Sequence, residues 1–165
     1  MQSVMNKFLN NIHAVNSIAR GGYDVDPDSL SFTINMSNQV GRVIEELKEI
    51  QEALEVGDKV GVLDGVVDTL YTALELGHMA KEAGYKLEPA MMKVAENNLS
   101  KFPTSILVAQ STVEKMNAEN GEGYCRTEER IYKGVPYYPV LRNSDNKFLK
   151  PIGYESVEIS QYVPE

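Results

Sequence analysis

The sequence predicts an all-α fold, an antiparallel bundle of four to five helices with a short extended or β-hairpin tail at its C-terminus. Three observations lead there. Apolar residues recur at steps of three and four over most of residues 1–120. Short breaks marked by Gly and Pro separate these stretches, and short connections favour antiparallel neighbours. From Gly121 onward the composition changes, because six of the nine tyrosines (Tyr124, Tyr132, Tyr137, Tyr138, Tyr154, Tyr162) and four of the seven prolines (Pro136, Pro139, Pro151, Pro164) collect there. The expected division is a helical domain over 1–120 and an extended tail over 121–165, packed on the body or on a partner subunit.

The first helix is expected over 4–19, where Val4, Phe8, Ile12, Val15 and Ala19 keep helical spacing before Arg20-Gly21-Gly22. A loop through Asp24, Asp26, Pro27 and Asp28 follows. The second helix covers 35–56. Its residues Val40, Val43, Leu47, Ile50 and Leu54 form a narrow seam suited to packing on another helix. Gly57-Asp58 closes it. The third helix, 60–83, is apolar nearly all round, the profile of a buried central helix, and Gly84 ends it. A fourth is expected over 88–97 with Pro89 near its first turn, and a fifth over 105–118 after Pro103-Thr104. In the tail, Arg142-Asn143-Ser144-Asp145-Asn146-Lys147 reads as a hairpin turn between strand-like residues.

A chain of 165 residues that is 42% apolar and 24% charged has ordinary globular composition and the length to bury a core. Acidic residues outnumber basic ones by 24 to 16, and the net charge of −8 argues against binding to nucleic acid or to an anionic membrane. The single cysteine, Cys125, has no partner for an internal disulfide. Met1 is followed by polar Gln2, Ser3, Asn6 and Lys7, so neither a secretory signal nor a membrane span is expected. The expected compartment is the cytoplasm, that of the host if the protein is viral.

The informative residues are acids. The second helix carries Glu45, Glu46 and Glu49, and the third carries Asp64 and Asp68. Counted from the turn at Asp58, the two groups stand at similar heights on neighbouring helices, given a rise of about 1.5 Å per residue. Spacings of three and four keep each group on one helix face. Ionised acids facing one another in a dry site are strongly unfavourable unless something neutralises them, as a hard divalent cation would. All-oxygen ligands suit Mg2+, or Mn2+ in its place, better than zinc or copper. The competing reading makes Glu45, Glu49, Glu52 and Glu55 the solvated face of an amphipathic helix. Asp68 resists it, because an aspartate inside Val66-Val67-Asp68-Thr69-Leu70-Tyr71 is neither cap nor turn and is a poor interior helix former.

The segment Glu45-Glu46-Leu47-Lys48-Glu49 and, further on, Asp64-Gly65-Val66-Val67-Asp68-Thr69-Leu70-Tyr71 resemble the paired acidic motifs of the all-α nucleoside triphosphate pyrophosphohydrolases. That group includes MazG, the dimeric dUTPases and the phosphoribosyl-ATP pyrophosphohydrolases. Asn97-Asn98-Leu99-Ser100-Lys101-Phe102 is similar to the Asn-x-Ser-Lys element these enzymes carry after the fourth helix. The matches cover about residues 40–102. Glycine at 65, where the family usually has Glu in a Glu-x-x-Asp motif, is a departure, and the tail has only a suggestive similarity to phage members. The resemblance implies a helical homodimer or dimer of dimers that hydrolyses a nucleoside or deoxynucleoside triphosphate to the monophosphate and pyrophosphate. Glu46, Glu49, Asp64 and Asp68 would hold Mg2+, with Glu45 and Glu46 as the catalytic carboxylates. Asn98 and Lys101 would bind the substrate, helped by Arg142 and Lys147.

Two rival readings come from other classes. A di-iron bundle needs Glu-x-x-His twice, and only Glu75-Leu76-Gly77-His78 supplies it, since His13 has Asn10 three residues earlier. A non-catalytic helical dimer that binds nucleotide or a protein partner explains the apolar seam without any chemistry. No phosphate-binding Gly-x-x-x-x-Gly-Lys-Ser/Thr loop occurs, and Cys125 has no histidine near it in sequence to activate it as a nucleophile.

Overall fold

The structure is a computed structural model that describes Phe8, residues 10–12, 14, 15 and 18, and residues 24–165. The expected helix over 4–19 lies outside the described residues except at these early positions, which are helical. Among them Ile12 is buried, and Phe8 meets Tyr71 edge to face with ring centroids 6.1 Å apart. The chain divides into two compact units, one of Met1–Leu87 with Tyr162–Glu165 and one of Glu88–Gln161.

The first unit is built on a helical hairpin. Helix α1 spans Leu30–Val56 and begins well before the apolar seam does. Ser29 explains the early start, because its Oγ accepts from Phe32 N at 2.9 Å and so satisfies one of the N–H groups that a helix leaves without an internal partner. Gly57, in the left-handed region at φ 70°, ends α1. Asp58 then caps α2, Lys59–Glu82, accepting from Val60 N at 3.0 Å and Gly61 N at 3.1 Å. With only Gly57 and Asp58 between them, α1 and α2 pack antiparallel. At the far end Lys86 N donates to Tyr162 O at 2.8 Å, so the last residues return to this unit.

The α1 seam is offset by about one position from the expected one. Phe32, Met36, Gln39, Val43, Glu46, Ile50 and Ala53 are buried or half-buried, at alternating steps of four and three. Val40, Leu47 and Leu54 of the expected seam are instead 43%, 47% and 62% exposed. Helix α2 is likewise not buried all round: Leu63 and Leu70 are 65% and 56% exposed. Its buried residues are Gly65, Thr72, Glu75 and Met79. The physical reason is that α2 meets α1 through small residues, Gly61 against Ala53 and Gly65 against Ile50, so many of its larger side chains stand in solvent.

The second unit corrects the all-α expectation. Helices α3 (Leu87–Leu99) and α4 (Ile106–Asn120) precede five short strands in two small antiparallel sheets, so the chain is mixed, although helix-dominated. Strands β1 (Cys125–Thr127), β4 (Val140–Arg142) and β5 (Phe148–Leu149) form one sheet in the order β1-β4-β5. Strands β2 (Arg130–Tyr132) and β3 (Val135–Tyr137) form a hairpin whose two-residue turn, Lys133 at φ 50° and Gly134 at φ 79°, has the twist that tight hairpins favour. The 142–147 segment joins β4 to β5. Ala109 of α4 packs with Cys125 and Val140 in a buried cluster ringed by Val113, Met116, Tyr124, Tyr138 and Leu149. Phe102 meets Phe148 edge to face at 5.0 Å. Among the described residues no helix is long and apolar enough to cross a membrane.

Candidate functional site

The register of α1 on α2 follows from three contacts. Gln39 Nε2 donates to Thr72 O at 3.0 Å across the buried seam. A Cβ placed at Gly65 would lie 2.7 Å from Ile50 Cγ1, and one at Gly61 would lie 3.1 Å from Ala53 Cβ. In that register Glu49 stands level with Asp64, and Glu45 with Asp68. Glu45, Glu49, Asp64 and Asp68 all lie within electrostatic reach of Glu46.

Two of them occupy positions that ordinarily pack. Glu46 lies seven residues from both Gln39 and Ala53, on the α1 line that faces α2. Asp68 falls between Gly65 and Thr72 on the corresponding α2 line, Gly61, Gly65, Asp68, Thr72, Glu75 and Met79. Glu46 is half-buried, whereas Glu45, Glu49, Asp64 and Asp68 are exposed. Partial burial lifts the Glu46 carboxyl above the ordinary carboxylate pKa, and the negative charges of Glu49, Asp68, Glu45 and Asp64 push it further in the same direction. A site of this kind favours a proton or a cation.

Among the described residues, no group of three or more His, Cys, Asp or Glu side chains converges closely enough to hold a metal ion. Both findings follow from the ranges involved. Coulomb repulsion is felt over several ångströms, while coordination requires oxygens within about 2.0–2.6 Å of one point. Like-charged side chains with room to move spread apart. The donor set itself, carboxylate oxygen only, fits a hard divalent cation, and the four exposed acids are free to turn toward one.

The remaining expected site residues belong to the second unit. Lys101 Nζ donates to Asn98 Oδ1 at 2.6 Å, so these two meet each other. The neighbouring Asn97 carries more structure: its Nδ2 donates to Glu155 O at 2.7 Å and its Oδ1 accepts from Tyr154 OH at 2.5 Å. Asn97 and Ser100 also help line a hollow of about 290 Å3. Arg142 forks onto Asp145, Nε to Oδ1 at 2.9 Å and Nη2 to Oδ2 at 2.5 Å. That pairing raises the guanidinium pKa further and lowers Asp145 to about 2, with help from the Lys147 backbone N–H. Arg142 thus already has a carboxylate partner, while Lys147 is exposed on the same loop.

Sequence reasoning overlooked Gln39, and it noted Gly65 and Asn97 only within motifs, without the contacts they make. The seven-residue step from Gln39 through Glu46 to Ala53 was the signal for the first; a glycine amid β-branched and acidic residues was the signal for the second. Cys125 is buried, and burial pushes its thiol pKa up, away from nucleophilic behaviour. No protein-family model, curated protein or solved structure matches the chain.

Proposed function

We propose that this protein hydrolyses a nucleoside or deoxynucleoside triphosphate to the monophosphate and pyrophosphate, using Mg2+ or Mn2+ held by Glu46, Glu49, Asp64 and Asp68. The observation that carries the reading is the placement of Glu46 and Asp68 on the packing lines of a helical hairpin, ringed by three further acids. Packing gains nothing from acids there, and repulsion makes them costly, whereas a polyphosphate-bound cation makes them useful. A divalent metal in such a site neutralises phosphate oxygens and acidifies water. Glu45 orients the attacking water and takes its proton. Asn98 contacts the sugar or base and Lys101 the phosphates, an amide offering both donor and acceptor and an ammonium offering charge. Arg142 is a weaker phosphate contact than Lys147 because Asp145 already occupies its fork.

The exposed stripe of Val40, Ile44, Leu47 and Leu54 on α1, with Leu63, Val67 and Leu70 on α2, supports assembly as a homodimer or dimer of dimers. The same stripe favours a second reading, a non-catalytic helical dimer that binds nucleotide or a protein partner. The proposed place of action is the cytoplasm, that of a host cell for a phage protein. A panel of ribo- and deoxynucleoside triphosphates, incubated with Mg2+ or with chelator, separates the two readings. Metal-dependent pyrophosphate is the expected product; no product from any triphosphate, with no stabilisation by Mg2+, leaves the dimer alone.

A further inference from the structure

We infer that the outer edge of β2 pairs with the same edge of a second copy of this chain, so that two β2–β3 hairpins join across a two-fold axis at Ile131. The hairpin is a two-stranded sheet of its own, and among the described residues no further strand extends it. Both residues of its turn have positive φ, which makes Tyr132 and Val135 the first hydrogen-bonded pair. Hydrogen-bonded and non-hydrogen-bonded pairs alternate along an antiparallel ladder. Arg130 and Tyr137 therefore exchange the next bonds, while Ile131 and the opposite Pro136 turn their backbone groups outward.

The two outer edges differ. On β3 the outward position is Pro136, which has no N–H, and the next one, Tyr138, spends its N–H on Pro103 O at 2.8 Å. On β2 the outward position is Ile131, whose N–H and C=O have no backbone partner beyond the hairpin among the described residues. Arg130, Ile131 and Tyr132 are all exposed, Ile131 and Tyr132 by 70% and 63%. A free edge of this kind takes up another strand, and a lone two-stranded hairpin is marginal without one.

A second copy fits this edge because Glu129-Arg130-Ile131-Tyr132-Lys133 complements itself when reversed. Antiparallel pairing centred on Ile131 sets Ile131 against Ile131, Arg130 against Tyr132, and Glu129 against Lys133 of the second copy. The result is an apolar pair on the axis, flanked on each side by a cation facing an aromatic ring and by an ion pair. Such a contact is isologous, and it leaves neither β2 edge open. Three residues make a weak ladder, so the contact forms at high protein concentration and adds to assembly through the helical stripe instead of replacing it.

The test uses full chains carrying Ile131→Cys or Val135→Cys, each alone and together with Leu47→Arg. A hydrogen-bonded antiparallel pair has its Cα atoms about 5.5 Å apart, within the roughly 4.4–6.8 Å that a disulfide spans. A residue on the axis meets itself, so under mild oxidation Ile131→Cys is expected to give a disulfide-linked dimer several-fold faster than Val135→Cys, with or without Leu47→Arg. Cys125 is buried and stays out of the reaction. In wild type the Ile131 amide should exchange with solvent several-fold more slowly at high protein concentration than at low. Ile131→Lys, which sets two cations against each other on the axis, should lose that dependence at its own amide while keeping its helical circular dichroism. Equal cross-linking of the two cysteine variants overturns the inference, as does cross-linking that Leu47→Arg abolishes. An Ile131 amide that exchanges at one rate at every concentration removes the second copy as occupant and leaves the edge to a strand of another protein.

Discussion

Replacing Glu46 by Gln removes a charge that the fold holds at a disadvantage, so the variant should be more stable than wild type when metal is absent. Glu46 faces four like-charged neighbours, Glu49, Asp68, Glu45 and Asp64. Glu46 and Glu49, three residues apart on one helix, are a like-charge pair of the kind that destabilises by about 0.2–0.5 kcal/mol. For a chain of this length its removal is a rise in Tm of about 0.4–2 °C. The sign with pH follows from the raised pKa. Above it wild-type Glu46 is ionised and repelled. As pH falls through the raised pKa toward the ordinary 4.5, the folded state takes up the proton more readily than the unfolded one. Wild type therefore gains stability in that window, and the advantage of Glu46→Gln disappears. Mg2+ reverses the order at neutral pH, because a site at hundredfold excess over Kd adds about 2.7 kcal/mol to whichever chain binds it. The assay is scanning calorimetry at low salt in chelator and in Mg2+, repeated down the pH scale. A Glu46→Gln protein that is less stable than wild type in chelator, or equally stabilised by Mg2+, refutes the assignment of Glu46 to a crowded cation site.

Leu47→Arg or Leu63→Arg places charge on an exposed apolar stripe and should convert the oligomer to monomer in sedimentation velocity without loss of helical signal; a wild type that is already monomeric removes the stripe from the account. Asp145→Asn should speed hydrogen exchange at the Arg142 and Lys147 amides, which flank the β4–β5 turn. Because Asp145 titrates at about 2 in the folded chain, below its ordinary 3.8, its stabilising pair is present above that range and lost as pH falls toward about 2; an exchange rate in the variant equal to that in wild type contradicts the pairing. Tyr154→Phe deletes the hydrogen bond to Asn97 Oδ1 and should cost about 1 kcal/mol in urea unfolding of the full chain. No change there would mean that water serves Asn97 equally well.

The helices were legible because their signals are local and repeated. Gly57, Asp58 and Gly84 mark ends that the structure confirms, and the heights of the acids follow from residue count alone. The start of α1 escaped because Ser29 with Phe32 is a single capping contact upstream of any apolar period. The seam was displaced because two apolar lines run along α1 one position apart. Apolarity alone favoured Val40, Leu47 and Leu54, whereas the line facing α2 contains two polar residues, Gln39, which donates to Thr72 O, and Glu46. The 142–147 turn between strand-like residues was legible, and β4 and β5 pair across it; the other strands escaped because each has only three residues, too short to display alternation, and β1 pairs with β4 across a long loop, Cys125 with Arg142. Gly65 was visible as a departure from a motif, but its meaning lay in a helix–helix distance that no spacing rule contains.

The central claim, that the acids of the α1–α2 hairpin serve phosphate chemistry, is tested most directly by pyrophosphate release from nucleoside triphosphates by wild type and by Asp68→Asn, each with Mg2+ and with chelator. The account predicts pyrophosphate and monophosphate from wild type with Mg2+, none with chelator, and loss of nearly all turnover in Asp68→Asn while the fold persists. Orthophosphate as the only product, or an Asp68→Asn protein as active as wild type, would contradict it.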